Sequence, residues 1–353
     1  MCRMRRLSPS CRRNSAFHAD TYFPPYNTGA LPGQDALGTL HHQRRLSCFA
    51  PALGSRWATE LWCTPPVMES SLRMPPGVPP GRPLEAHWDG HRIVGEAWGD
   101  GPPVYLVHGW GGRRPHLGMF IKPLVKSGHR VIAFDLPSHN ESDPGSLAPG
   151  RTTAIECAEA VAAIIREHGP ARAVVAHSLG ANAAVFAAAR GTTVGRLVFL
   201  APMGEFPVYL DLFAARHGFG RWIRAGLHRR LERRIGMPLE ETNMVRVAAR
   251  TDYPPLLLIH DPDDPETPYA TSEKVVASWP GARLMTTRGL GRLAHFRILR
   301  HAPRFVRAAN SSVPHRFKHA GGPCLIAVIA GRLGGIVRLC ECRADAQSAH
   351  AVR

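Results

Sequence analysis

The sequence has no apolar run that is long enough to cross a bilayer, and no apolar segment of a secretory signal follows its basic first residues. The stretch CLIAVIAGRLGGIV at 324–337 is too short for a membrane span and is broken by Arg332. The eight cysteines include no C-x-x-C pair and no zinc-type spacing with histidine. These absences argue against a membrane span, a disulfide framework and a metal site, and they favour a protein of the reducing cytoplasm.

Acidic residues are scarce at both ends, and the formal net charge of +17 is unevenly spread. Residues 1–83 carry ten Arg against four acidic residues, and residues 311–353 carry six basic against two acidic residues. Residues 216–234 add seven Arg and one Glu, which leaves the rest of the middle close to neutral. Basic tails of this kind could bind nucleic acid or an anionic membrane, but no recognition motif or interleaved aromatic residues accompany them. We therefore expect no specific nucleic-acid partner.

Composition divides the chain into three parts. Residues 1–83 contain twelve prolines and no sustained apolar periodicity, so we expect a disordered N-terminal extension. Residues 311–353 are rich in Arg, Gly and Cys without a clear order of elements, and we expect an irregular C-terminal tail. The folded domain is therefore predicted at residues 84–310.

This middle part alternates between apolar strands and helices. Thr153 and Glu156 form a capping box before a helix that Gly169 ends, and further helices are predicted at 179–190, at about 270–279 and from about 296. Continuous apolar strands between helices indicate an α/β fold with a mostly parallel, doubly wound sheet. The six predicted strands are 102–109, 129–137, 172–177, 195–202, 254–262 and 282–287.

Residues 203–250 interrupt the alternation and are predicted to be an insertion. Its apolar residues at steps of four predict one helix, with arginines on the opposite face: Phe219, Ile223, Leu227, Leu231 and Ile235. This helix would either lie on the surface with a solvated basic face or form a small helical cap whose apolar face turns to a substrate.

The stretch VVAHSLGANA (174–183) places Ser178 between a predicted strand and a predicted helix. Ala176 and Gly180 lie two residues before and after it. A turn with small residues at these two positions holds a serine clear of the sheet, and the helix that follows favours a developing oxyanion. Serine is also a common helix cap, so the turn alone leaves both interpretations open. As a nucleophile, Ser178 needs a histidine as base and a carboxylate that orients the histidine.

With this turn, the segments HGWGG (108–112) and FDLPSHNES (134–142) resemble the α/β-hydrolase family, over about residues 92–310. HGWGG resembles the family's oxyanion loop, which implies that the backbone amides of Trp110 and Leu179 hold the oxyanion. FDLPSHNES resembles the D-x-P-x-H-G-x-S segment with Asn140 in place of the usual glycine, and asparagine tolerates positive φ better than most residues.

Two later segments resemble the family's acid and base loops. LLLIHDPDDPETP (256–268) is similar to G-x-x-D-x-x-x-P with Asp261 in place of glycine, which implies Asp264 as the triad acid and leaves Asp263 as the alternative. A surface turn rich in Pro and Asp would look similar. TTRGLGRLAHFRILRHAP (286–303) is similar to G-L-G-H-x-R-I-L, except that Arg292-Leu293-Ala294 precede the histidine. His295 is the implied base, and His301 is the alternative.

The resemblance implies a serine hydrolase of the carboxylic ester type that cleaves a small ester or a related acyl compound. His295 would take the proton of Ser178, Asp264 would orient His295, and water would cleave the acyl-enzyme. No cofactor or metal is implied, the expected partner is a small-molecule acyl substrate, and the oligomeric state is open. The sequence departs from the family's motifs at Asn140 and at the three residues before His295. These departures leave an alternative: a catalytically inactive protein with the hydrolase fold that acts as a binding or scaffold protein.

Overall fold

The computed structural model describes residues 51–66, 73–248 and 253–288. In these ranges one eight-stranded sheet has the order β1-β2-β4-β3-β5-β6-β7-β8. Its strands are β1 (Arg82–Trp88), β2 (His91–Trp98), β3 (Pro103–Val107), β4 (Arg130–Phe134), β5 (Ala173–His177), β6 (Leu197–Leu200), β7 (Leu256–His260) and β8 (Arg283–Thr286).

The sheet is mostly parallel, as predicted. β2 pairs antiparallel with β1 and with β4, and every other neighbouring pair is parallel. All six predicted strands are present, and the α/β fold class is confirmed. β1 and β2 were not predicted from the sequence. In β1 only Ala86 is buried, so the strand lacks the continuous apolar run by which the parallel strands were found.

Helices connect these strands. They are α1 (Pro51–Trp62), α2 (Ile121–Lys126), α3 (Ala154–His168), α4 (Leu179–Ala189), α5 (Phe206–Arg216), α6 (Arg221–Ile235), α7 (Met244–Ala248) and α8 (Tyr269–Ser278), with 3-10 turns at Arg114–Phe120 and Leu239–Thr242. The predicted capping box of α3 is confirmed: the Thr153 side chain accepts from the Glu156 amide, and the Glu156 carboxylate accepts from the Thr153 amide. Gly169 ends α3 at a φ of 104°.

The core lies on both faces of the sheet. Alternate residues of a strand point to opposite faces, so Tyr105 and Val107 pack with α3 and α4, whereas Val104 and Leu106 pack with α2. In open parallel sheets ligands bind at the carboxyl ends of the strands, so the loops at that edge are the first place to look for a site. Among the described helices, none has the length and apolar character that a membrane span requires.

The insertion between β6 and β7 contains α5, α6, a 3-10 turn and α7, and the sequence predicted one of these helices. The predicted helix corresponds to α6. Arg221 and Arg224 on one side are exposed, while Leu231 and Ile235 on the other line a cavity. We call α5 to α7 the cap.

Residues 51–62 form α1, although the sequence predicted disorder there. α1 packs on α6: a Cβ at Gly226 would lie 2.5 Å from the Cβ of Ser55, and Arg230 Nε donates to Ser55 Oγ at 3.1 Å. The expectation fails here because the one proline of this stretch, Pro51, starts the helix, and the buried side of α1 needs α6 to cover it. Residues 1–50, 67–72, 249–252 and 289–353 lie outside the described residues, and with them the helix predicted from about 296 and the tail predicted at 311–353.

Candidate active site

Ser178 lies at a strained turn between β5 and α4. Its φ of 49° and ψ of −119° are unusual for a residue with a side chain. Ala176 is fully buried, and a Cβ at Gly180 would lie 2.5 Å from the carbonyl oxygen of His108. The small residues two positions on either side of the serine are therefore required by close packing, as the sequence indicated.

The side chain of Ser178 is half-buried and lines a cavity. Although the residue takes the N-cap position of α4, its side chain makes no capping hydrogen bond. This observation removes the ordinary interpretation of the serine as a helix cap. Its hydroxyl is not committed to the helix that follows.

The loop HGWGG approaches the serine turn closely. A Cβ at Gly109 would lie 3.0 Å from the Cβ of Ser178, and the Gly112 amide donates to the Gly109 carbonyl at 2.9 Å. Within the described ranges, neither the Trp110 amide nor the Leu179 amide has a hydrogen-bond partner. Trp110, Ser178 and Leu179 line the same cavity, so two unpaired amides lie near the serine.

Two buried histidines fix this loop. His108 Nδ1 donates to the Gly109 carbonyl at 2.8 Å, so its Nε2 accepts from the Leu136 amide at 3.0 Å. His139 Nδ1 donates to the Pro137 carbonyl at 2.8 Å, and its Nε2 accepts from the Gly111 amide at 3.0 Å. Burial lowers the pKa of each to about 3, so both rings are neutral. Neither histidine was predicted from the sequence to have a role.

The turn after β4 is held by a buried ion network. Asp135 is fully buried and accepts from the backbone amide and Nη1 of Arg114, both at 2.8 Å, and from Asn140 Nδ2 at 2.8 Å. Arg114 also contacts Glu96 at 2.9 Å and Glu141 at 2.7 Å. Asn140 has a φ of 45°, so the asparagine tolerates the conformation in which glycine is usual.

The three aspartates of the acidic loop after β7 differ in their exposure to solvent. Asp263 is exposed, whereas Asp261 and Asp264 are buried. Asp264 Oδ1 accepts from the amides of Glu266 at 2.7 Å and Thr267 at 3.1 Å. Glu266 and Thr267 line the same cavity as Ser178, so the turn built on Asp264 borders that cavity.

His260 supports this turn from inside the domain. Its Nδ1 lies 2.6 Å from Ser272 Oγ, its Nε2 lies 3.0 Å from Thr267 Oγ1, and Asp264 Oδ2 is 3.8 Å away. Burial lowers the pKa of His260, with the Asp264 carboxylate opposing that shift. The sequence offered one signal for this residue: it is the polar end of an otherwise apolar strand.

The implied base, His295, and its alternative, His301, lie outside the described residues. Three elements of the predicted site are therefore near one cavity: the serine turn, the oxyanion loop and the Asp264 turn. The roles given to Ser178, Asp264, His295, Trp110 and Leu179 remain predictions.

The cavity in front of Ser178 has a volume of about 470 Å³ and a mostly apolar lining, which is within the usual size range of small-molecule sites. Its walls come from the end of α1, the start of α3, the cap and the Asp264 turn. The large apolar side chains around it include Trp62, Trp110, Phe206, Phe213, Leu231 and Ile235.

Comparison with known proteins gives the same fold. The chain belongs to the alpha/beta hydrolase family, whose model matches residues 104–327. No curated protein sequence matches the chain.

Several solved structures are similar to it. An esterase, EaEST, from Exiguobacterium antarcticum is 15% identical with a TM-score of 0.48, over 64% of this chain and 99% of that chain. An esterase from Thermogutta terrifontis is 17% identical with a TM-score of 0.49, over 65% and 99%. An alpha/beta hydrolase from Sphaerobacter thermophilus is 21% identical with a TM-score of 0.47, over 64% and 98%.

Proposed function

We propose that this chain is a serine hydrolase that cleaves a small ester or a related acyl compound through an acyl-enzyme on Ser178. One observation carries the proposal: Ser178 has a strained backbone, and its side chain faces an apolar cavity without capping the helix it precedes. Such strain costs of order 1–3 kcal/mol and persists where the surrounding structure holds it, commonly at functional sites.

In the proposed reaction, His295 takes the proton of Ser178 as the Ser178 Oγ attacks the substrate carbonyl. Asp264 orients the imidazole and stabilises its protonated form. The leaving alcohol takes the proton from His295, and a water activated by the same histidine then cleaves the acyl-enzyme. Burial of Asp264 and exposure of Asp263 favour Asp264 as the acid.

The oxyanion of the tetrahedral intermediate would accept hydrogen bonds from the Trp110 and Leu179 amides. Leu179 begins α4, so the positive end of the helix dipole adds to this stabilisation. The Gly111 amide donates to His139 and the Gly112 amide to the Gly109 carbonyl, so neither of these two is available to the oxyanion. An apolar cavity strengthens such bonds because water does not compete with them.

The test is hydrolysis of p-nitrophenyl butyrate by the full chain. We expect turnover that Ser178→Ala and His295→Ala each lower by at least about 10³-fold. Matched controls are Ser127→Ala, a serine after α2 away from the cavity, and His301→Ala; both should keep the activity of the natural chain.

Turnover that survives in Ser178→Ala would contradict the proposal. A correctly folded natural chain that cleaves none of a panel of esters, thioesters and amides would also contradict it. The inactive binding protein would then be the better interpretation.

A further inference from the structure

Residues 51–66, α1 and the turn that follows it, form what we call the strap. It lies upstream of the region 104–327 that the family model matches. Glu60 joins the strap to its surroundings by two salt bridges. Its carboxylate contacts Arg151 of the main domain at 2.6 Å and Arg234 of α6 at 2.9 Å. Burial raises the pKa of Glu60, but Arg234 and Arg151 outweigh that effect and leave it below its usual value. The strap is thus anchored to both the domain and the cap.

The strap is also tied to the elements around the cavity. The Thr152 amide, just before α3, donates to the Cys63 carbonyl at 2.9 Å. At the strap's end, a Cβ at Gly111 would lie 2.6 Å from Pro66 Cγ, so Pro66 lies directly on the oxyanion loop. Leu61, Trp62 and Pro66 all line the cavity. The strap therefore forms one wall of the candidate site.

Trp62 is the largest side chain of that wall. Its ring centroid is 5.6 Å from that of Phe206 and 5.0 Å from that of Phe213, with interplanar angles of 85° and 71°. Edge-to-face contacts of this kind fix the orientation of all three rings. Phe206 and Phe213 belong to α5, so Trp62 joins the strap to the cap at the cavity.

We propose that Trp62 is a specificity-determining residue that closes the end of the cavity and limits the length of the apolar group the substrate places there. This inference rests on the proposed function. Arg216 and Glu266 also line the cavity, but the rings of Trp62, Phe206 and Phe213 lie together. These rings predict an uncharged alkyl or aryl group against them, because burying a charge there would cost more than the contacts return. Removal of the indole would leave room for a longer group.

The experiment compares kcat/KM for two series of esters. One series varies the acyl chain of p-nitrophenyl esters from acetate to dodecanoate, and the other varies the alcohol of butyrate esters from methyl to octyl. In Trp62→Ala, the ratio of the longest to the shortest member should rise at least about tenfold in one of the series, since single methylenes in apolar pockets change kcat/KM by 10-fold or more. Trp62→Phe should shift the ratio in the same direction by less.

The matched control is Trp57→Ala. Trp57 lies on the same helix, contacts Phe219 of the cap and is exposed, but it does not line the cavity. Its ratios should equal those of the natural chain. Unchanged ratios in both series for folded Trp62→Ala, or for Trp62→Phe if the alanine variant does not fold, would overturn the inference.

Failure of the proposed function would look different, because the natural chain would then hydrolyse neither series. In that case the limit that Trp62 sets on chain length is tested by binding. The affinities of hexanoate and dodecanoate are measured for the natural chain and for Trp62→Ala. A preference that moves to the longer chain in the variant supports the inference, and an unchanged preference overturns it.

Discussion

The Nε2 of His139 accepts a hydrogen bond from the backbone amide of Gly111 at 3.0 Å. This bond joins the turn after β4 to the loop after β3, and the ring of His139 also lies edge-on to Trp110 at 5.5 Å. Since the Trp110 amide is the proposed oxyanion donor, His139 determines the position of a group that would act on the substrate. We regard His139 as a positioning residue.

Replacing His139 with Phe keeps a ring but removes the acceptor. We expect kcat for ester hydrolysis to fall by up to about 100-fold with little change in KM, because small displacements of a reacting group are costly. His139→Gln retains an acceptor oxygen and should recover part of the loss. Equal kcat values for the Phe and Gln variants would show that the hydrogen bond has no positioning role.

Acid should destabilise the fold through the neutral histidines. Burial lowers the pKa of His108 to about 3, whereas an unfolded chain would have the ordinary value of 6.5. Below pH 6.5 the unfolded state binds a proton that the folded state does not, so the free energy of unfolding falls toward pH 3. The loss is about 1.4 kcal/mol per pH unit.

Urea unfolding of the natural chain and of His108→Gln between pH 7 and pH 5 measures this effect. The variant lacks the titrating group, so its free energy of unfolding should fall less steeply as the pH decreases. Below pH 6.5 the slopes of the two proteins should differ by about 1.4 kcal/mol per pH unit. Parallel slopes for the two proteins would mean that folding does not shift the pKa of His108 and would contradict this prediction.

The strain at Ser178 predicts a stability difference between two inactive variants. Ser178→Gly and Ser178→Ala both lack the hydroxyl, but glycine tolerates a φ of 49° and alanine does not. We expect the glycine variant to be more stable by about 1 kcal/mol. At Ser127, where φ is −90°, glycine should give no such gain over alanine. Equal melting temperatures of the two Ser178 variants would contradict a strained turn.

The two aspartates next to each other in the acidic loop provide a matched pair. Asp264→Asn keeps an oxygen for the Glu266 and Thr267 amides, so the turn should persist, but it would hold the histidine in the wrong tautomer. We expect kcat to fall by about 10⁴-fold. Exposed Asp263→Asn should leave kcat unchanged. A large loss in Asp263→Asn instead would reassign the acid.

The parts of the molecule that the sequence predicted are those set by local requirements. The strands buried on both faces are continuous apolar runs, and the small residues around Ser178 follow from the tight turn itself. α1 could not be predicted, because its buried side makes sense only against α6, more than 150 residues later in the chain. The partners of His108 and His139 likewise depend on loops that meet only in the folded sheet.

Covalent labelling by a fluorophosphonate, read by intact mass, tests whether Ser178 is an activated nucleophile. The natural chain should gain one phosphonyl group, and Ser178→Ala and His295→Ala should gain none. A folded natural chain that stays unlabelled, or a Ser178→Ala variant that is labelled equally well, would contradict the account.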